Sequence, residues 1–393
     1  MKRVYLDHIA GTPLRPEVLE AMLPFLQDKY GNAQSLHHEG QEAAKALEES
    51  REKVASLVGC QPGEIYFTSS GSEANNFALK GLALARKDRG RHLVLSAIEH
   101  QSVLHAAKFL EKLGFETSLV PVDQFGKVDP EDVRRSLRRD TILVSVMLAN
   151  SEVGTIQPVK EIAAVCRENN IPMHTDAVAA CGNIKVDVNE LGVDALSLAA
   201  HQFYGPKGAA ALFLRKGTRI LPLIDGGIQE GGRRAGTEDV AAIVGLGKAA
   251  ELAQREMDTW AATLRPLRDY LLKELPSRIP HVIVTGHPTD RLPHHASFCV
   301  EFIEGEAMLL NLDMKGFAAS SGSACTSRAL KASHVLLAMG LDHAIAQGSI
   351  VFSLINGIAL EDIEALLTFF PPVVERLRKM SPLYTQFLEG KKA

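Results

Sequence analysis

The chain has 393 residues, of which 46% are hydrophobic and 23% charged, with a formal net charge of -4. That apolar content is enough for a large core or two cores, and the length sets two domains as the prior. The charge balance argues neither for a nucleic-acid partner nor for a membrane-surface one, and none is expected. Arg134, Arg135, Arg138 and Arg139 form the nearest approach to a basic run. They sit at helical spacing beside Glu131 and Asp132 and read as a solvated helix face. Asp7 arrives too early for a signal peptide, and no apolar run is long enough to cross a bilayer, so a cytoplasmic protein is expected. Five cysteines (Cys60, Cys166, Cys181, Cys299, Cys325) form no CxxC pair, which implies neither a disulfide framework nor a zinc site.

In chain order, residues 39–57 read as an amphipathic helix, with Ala43, Ala46, Leu47, Val54 and Leu57 at helical spacing. A short strand is expected over 64–68, a helix over 72–84, a strand over 92–96 and a helix over 102–113. The run 141–147 is continuously rich in β-formers, as a strand buried on both faces of a parallel sheet should be. A helix over 159–169 and strands over 172–176 and 194–198 follow. This is the βαβ rhythm of an α/β domain. Beyond the glycine-rich stretch 226–236, a long helix is expected over 241–274. Strands over 281–285 and 296–302 and helices over 306–312 and 361–370 then suggest a smaller α+β unit.

Four segments carry candidate chemistry. Thr68 to Asn76 passes from strand through Ser69, Ser70, Gly71 and Ser72 into a helix. Free N–H groups at that helix start suit a phosphate; an ordinary βα turn with Ser72 as N-cap explains the same residues. Asp176 ends a parallel strand, where side chains enter the ligand crevice and a carboxylate can hold a pyridinium N–H; a helix N-cap is the plain alternative. His100 follows a strand and could stack on a planar ring or move protons, though a lone histidine is more often structural. Cys325 sits in the small-residue stretch Ser320 to Ser327, which suits an accessible thiol. The other four cysteines lie in apolar stretches and read as core.

Together these segments resemble the cysteine desulfurases of the class V aminotransferase group, fold-type I pyridoxal-phosphate enzymes. The resemblance also takes in Tyr5-Leu6-Asp7, Asn150 with Glu152 to Thr155, Phe203 to Gly208, Gly232 to Glu238 and Ser333 to Leu336. It implies an α/β fold with a mainly parallel central sheet in a large domain over 14–260. Residues 1–13 and 261–393 would form a smaller α+β domain carrying the cysteine loop. His100 would stack on the cofactor and handle protons, and Asp176 would pair with its ring nitrogen. Gly71, Ser72 and His201 would hold the phosphate, with Thr237 reaching in from the second subunit of a homodimer. Asn150 would sit near the ring hydroxyl. Cys325 would take sulfur as a persulfide and pass it to an acceptor or iron–sulfur scaffold protein.

The sequence departs from the family pattern where the cofactor is handled. The position of the lysine that binds pyridoxal phosphate as a Schiff base holds Gln202, whose amide forms no such bond. Lys207 belongs to the family pattern in its own right and is no obvious replacement. Ala199 replaces a phosphate-contacting serine and Ala179 a glutamine that bonds the ring hydroxyl. The Asp-Asn-Asn-Ala-Thr motif reads Asp7-His8-Ile9-Ala10-Gly11, and the arginines expected to clamp a substrate carboxylate fall at Asn356 and Val351. Three functions are open. The first is a desulfurase-like protein without covalent cofactor, whose Cys325 carries persulfide or transiently ligates an iron–sulfur cluster. The second is an active desulfurase, or another enzyme using non-covalent pyridoxal phosphate. The third is a regulatory pseudoenzyme that pairs with an active paralogue.

Overall fold

The computed structural model describes residues 2–321 and 332–390. Its strands in chain order are β1 (Val4–Tyr5), β2 (Ile65–Thr68), β3 (His92–Ser96), β4 (Glu116–Val120), β5 (Thr141–Ser145) and β6 (Met173–Asp176). They continue as β7 (Ala195–Ala199), β8 (Ala210–Leu214), β9 (Val282–Val284), β10 (His295–Val300), β11 (Phe317–Ala318) and β12 (Ser349–Ser353). Seven of them form one sheet in the order β2-β8-β7-β6-β5-β3-β4. All neighbours are parallel except β8, which runs antiparallel to β2 and β7. The expected α/β architecture with a mainly parallel sheet is therefore the observed one.

Period-two alternation explains how this sheet is buried on both sides. In β3, Leu93 and Leu95 pack into one apolar cluster with Phe77, Leu82 and Leu110. Val94 between them packs into the other, with Val144, Leu196 and Phe213. Strands covered by helices on both faces are mostly apolar along their whole length, as the fully buried strands β3, β5 and β7 are, with His92, Ser96, Thr141, Ser145 and Ser197 as their polar members. Two strands of this sheet lie outside the expected set. β4 is a half-exposed edge with a polar sequence, and β8 is alanine-rich; neither carries a strong strand signature.

A separate cluster joins β10 and β12 to Val4, Leu6, Leu271 and Phe370. There β12-β10-β9 form an antiparallel sheet, and β1 pairs with β11. The helix expected over 241–274 runs Val240–Arg278 without a break at Trp260. Its first half packs in the large core and Leu264, Leu271 and Leu275 pack in the small one. The helix expected to end at Phe370 continues through Pro371 and Pro372 to Lys379. Interior prolines cost roughly 3 kcal/mol or more each. Val373 and Val374 bury beyond them, at roughly 1.5–3 kcal/mol apiece, and Arg378 donates to the carbonyls of Pro280 and His281. Tertiary packing thus overrides the local stop signal.

Phe352 on β12 is 0% exposed and touches the rings of Phe298 and Phe370. Phe352→Ala should lower unfolding free energy by roughly 3–5 kcal/mol in urea titration. A loss under about 1 kcal/mol would contradict this account of the small core.

Candidate functional site

The carboxyl ends of β3, β5, β6 and β7 open toward one cavity of about 270 Å³. Open crevices of this kind collect the functional side chains of parallel sheets. Larger grooves of about 690 and 520 Å³ lie elsewhere; the first includes the ion pair Lys127–Asp290 and the second Arg86, Arg89, Arg167 and Arg215. Neither includes a strand-end residue of the motifs above. Gly71, Ser72, His100, Asn150, Asp176, His201 and Gln202 all line the 270 Å³ cavity.

The helix Gly71–Ala85 begins at its edge. Ser70, not Ser72, is the N-cap: its hydroxyl accepts from Glu73 N–H at 3.1 Å. The sequence does not separate Ser70 from Ser72, because the choice depends on which residue takes extended φ and ψ. Ser72 is therefore inside the first turn, where its N–H and that of Gly71 have no intrahelical acceptor. A Cβ at Gly71 would come 2.6 Å from Val178 Cγ2, so glycine is required for the helix start to sit against the cavity wall.

Asp176, at the end of β6, is 5% exposed. Asn75 Nδ2 donates to its Oδ2 at 2.6 Å and Val178 N–H to its Oδ1 at 2.9 Å. These donors fix a carboxylate on the cavity wall; the residue caps no helix. His174, two residues earlier on the same face, is buried between Ser145 Oγ and Ser197 Oγ, and burial lowers its pKa to about 3.

His100 is both structural and on the site. It caps the helix Gln101–Glu111, with Nδ1 accepting from Ser102 N–H at 3.1 Å. That leaves the ring proton on Nε2. Asn150 lines the cavity, but its amide is fully engaged. Nδ2 donates to Ile98 O at 3.0 Å, and Oδ1 accepts from the N–H groups of Glu152 and Val153. Its polar atoms shape the wall.

Gln202 is 4% exposed, and its Nε2 donates to Ile9 O at 2.8 Å. His201 beside it has a lowered pKa, from burial first and then the charge of Lys207. Lys207 itself is exposed and outside the lining. Ala179 lines the cavity, and Ala199 lies behind Gly71, 3.7 Å from where its Cβ would be. Asn356 and Val351 do not reach the lining. Thr237 is exposed and does not line the cavity of its own chain. Cys325 lies outside the described residues.

Sequence reading gave no role to the acidic side of this wall. Asp7, Glu99 and Glu152 line it together with Asp176. Burial raises the Glu99 pKa to about 8, against the pull of Ser96 Oγ and Met147 N–H, which both donate to Oε1. Glu152 is raised to about 7 by burial, with only the Ser333 hydroxyl opposing. Burial also raises Asp7. The signal was weak but present: Glu99 directly follows the apolar Ala97-Ile98 at a strand end, where a solvated carboxylate is out of place.

Residues 4–366 match the family described as Aminotransferase class-V. The chain belongs to the class-V aminotransferase family. It is 50% identical over 394 residues to the cysteine desulfurase IscS of Dictyoglomus turgidum, with both chains fully covered. It is 49% identical to the cysteine desulfurase IscS of Methanosarcina thermophila, covering 97% of this chain and 94% of that one. Among solved structures, a NifS-like protein superposes with a TM-score of 0.90 and 38% identity, covering 95% of this chain and all of that one.

Within this family fold the cavity fits part of a pyridoxal-phosphate group. Asp176, held by two donors, suits a protonated ring nitrogen, and the free N–H groups at Gly71 and Ser72 suit a phosphate. The covalent half does not fit: among the described lining residues there is no lysine.

The raised carboxyls make stability fall with pH. Glu99 binds a proton in the folded chain up to about pH 8, while the unfolded group loses it near 4.5. Between those values the folded state holds the extra proton, so stability drops as pH rises, by up to about 1.4 kcal/mol per unit for a single group. Glu99→Gln should flatten this fall in urea titrations from pH 5 to 8. An unchanged slope would show that Glu99 ionises normally.

Proposed function

We propose that this protein is a cysteine desulfurase-like sulfur carrier of iron–sulfur cluster assembly that does not attach pyridoxal phosphate covalently. The carrying observation is Gln202, buried on the cavity wall with its amide bonded to Ile9 O. An amide there neither bonds an aldehyde nor takes a proton from a substrate carbon. Cys325 is the proposed sulfur acceptor. Its thiolate attacks the outer sulfur of a donor persulfide, a new S–S bond forms, and the donor thiol leaves with the electron pair. The same thiolate could instead ligate iron in a nascent cluster on a scaffold protein.

Pyridoxal phosphate, when bound, supplies an electron sink that weakens bonds at a substrate α-carbon. This chain's part would be to hold it without a covalent link: the N–H groups of Gly71 and Ser72 with His201 for the phosphate, Asp176 for the ring nitrogen, and His100 over the ring. A homodimer, with Thr237 contributed across the interface, and a cytoplasmic location belong to the same reading. Among the described residues no helix is long and apolar enough to cross a membrane.

A second reading, an active desulfurase using free cofactor, is favoured by the 50% identity to a full-length relative of that name. Exposure to a small-molecule persulfide followed by peptide mass spectrometry tests sulfur acceptance, and turnover of L-cysteine separates the two readings. Cys60, Cys166 and Cys299 have pKa values raised to about 12 by burial, and Cys181 is raised further in the same direction. Extra sulfur should therefore appear on Cys325 and not on these four, and Cys325→Ala should abolish it. Sulfide release from L-cysteine that depends on added cofactor would instead support the active desulfurase. A Cys325→Ala protein that keeps its cellular role would favour a regulatory module.

A further inference from the structure

The groove of about 520 Å³ lies at the end of the central sheet opposite the cavity. Its lining comes from the amino ends of β6 and β7, at Pro172 and Asp194, and from Arg215, which follows the antiparallel β8. It shares no lining residue with the cavity. Arg86, Arg89, Arg167 and Arg215 meet there against one carboxylate, Asp194. Four cations less one anion leave a local surplus of three positive charges, in a chain whose net charge is -4. Asp194 Oδ2 is also already occupied, accepting from Met173 N–H at 2.9 Å.

Three of these guanidinium groups are unspent. Among the described residues, no carboxylate pairs with Arg86, Arg89 or Arg167 and no acceptor takes a hydrogen bond from their side chains. Elsewhere on the surface, Arg134 and Arg138 each hold a carboxylate. Arg86 follows the helix Gly71–Ala85 as its C-cap, with a buried Nε that has no partner. Burial and then repulsion from Arg89 lower its pKa; Asp194 pulls the other way, and Arg219 adds to the repulsion. Arg167 stands in the last turn of the helix Val159–Glu168. Its guanidinium occupies the space over Gly192, where a Cβ would lie 2.1 Å from Nη2. Arg215 is pinned by bonds to Val193 O at 2.9 Å, Asn189 Oδ1 at 3.1 Å and Val188 O at 2.8 Å. Three of its five N–H groups are used and two are left over.

A helix C-terminus favours a single cation, which accounts for Arg86 and Arg167 taken one at a time. It does not account for their convergence with Arg89 and a pinned Arg215 in one recess, where like charges repel. A polyanion relieves that repulsion. Guanidinium and phosphate meet through parallel N–H···O bonds, and two linked phosphates can engage several such forks at once.

We infer that this groove binds a diphosphate group, held by Arg86, Arg89 and Arg167 with Arg215 fixed beside them. The site is separate from the Gln202 cavity and does not depend on how the cavity handles a cofactor.

The test is calorimetric titration of the full-length protein at pH 7 in about 0.15 M salt, without divalent cations. The probes are inorganic pyrophosphate, inorganic phosphate and ADP. Pyrophosphate should bind at one site per chain, at least about ten-fold more tightly than phosphate. ADP binding at least as tightly as pyrophosphate identifies a nucleoside diphosphate as the class of ligand; weaker ADP binding identifies the free anion. Arg167→Gln should weaken pyrophosphate at least about ten-fold. Arg89 is exposed, so Arg89→Gln supplies the readout if Arg167→Gln does not fold, with a loss of at least about three-fold. Arg139→Gln, which removes an exposed arginine outside the groove, should change the affinity by less than about two-fold. Absence of pyrophosphate binding, or equal affinity for phosphate and pyrophosphate, overturns the inference. So does pyrophosphate affinity that both groove variants leave unchanged, which would put the anion at the Gly71–Ser72 helix start instead.

Discussion

The hydrogen bond from Gln202 Nε2 to Ile9 O, 2.8 Å long and buried, sets the chemistry of the whole cavity. A lysine at this position would bring a charge and a nucleophile. The glutamine brings neither, and it spends its donor on the backbone of the N-terminal segment. The carboxyls around it then have no internal cation among the described lining residues. Burial has to be relieved another way, and Glu99 and Glu152 do so by holding protons at pH values where carboxyls are normally ionised.

The N-terminal segment packs directly against Gln202. His8 is 1% exposed, and its ring nitrogens lie 2.9 Å from Gln202 O and 3.0 Å from Leu354 O. Burial lowers its pKa to about 4, so it is neutral near pH 7. Its ring stacks on His294 at 4.1 Å with 17° between planes. Through this contact the residue after Asp7 ties the cavity floor to the small core. Residues of the segment Asp7–Gly11 and Gln202 therefore touch one another.

Much of the architecture was legible because buried parallel strands announce themselves. The β-rich run 141–147 and the strand ending at Asp176 mark the crevice in the sequence itself. Other features depended on tertiary context. Pro371 and Pro372 read as a stop, yet Val373 and Val374 have a core to enter. β4 is polar because it is an edge. Within the site, Asp176, His201 and Gln202 were legible from motif and strand position. Glu99 was only faintly so, from the apolar residues before it, because a glutamate in a sequence reads as a charge; its burial behind Ser96 and Met147 is what raises its pKa. Ser70, and not the alternative Ser72, caps the helix for a similarly local reason, its extended backbone.

The central claim is that this family fold has kept a cofactor-shaped cavity and lost the amine that would bind the cofactor covalently. Absorbance of the purified protein with added pyridoxal phosphate, then borohydride reduction and peptide mass spectrometry, tests it most directly. The account predicts no visible-edge band and no reduced adduct on any lysine. A stoichiometric adduct, above all on Lys207 beside His201, would show that the essential amine has moved and would contradict it.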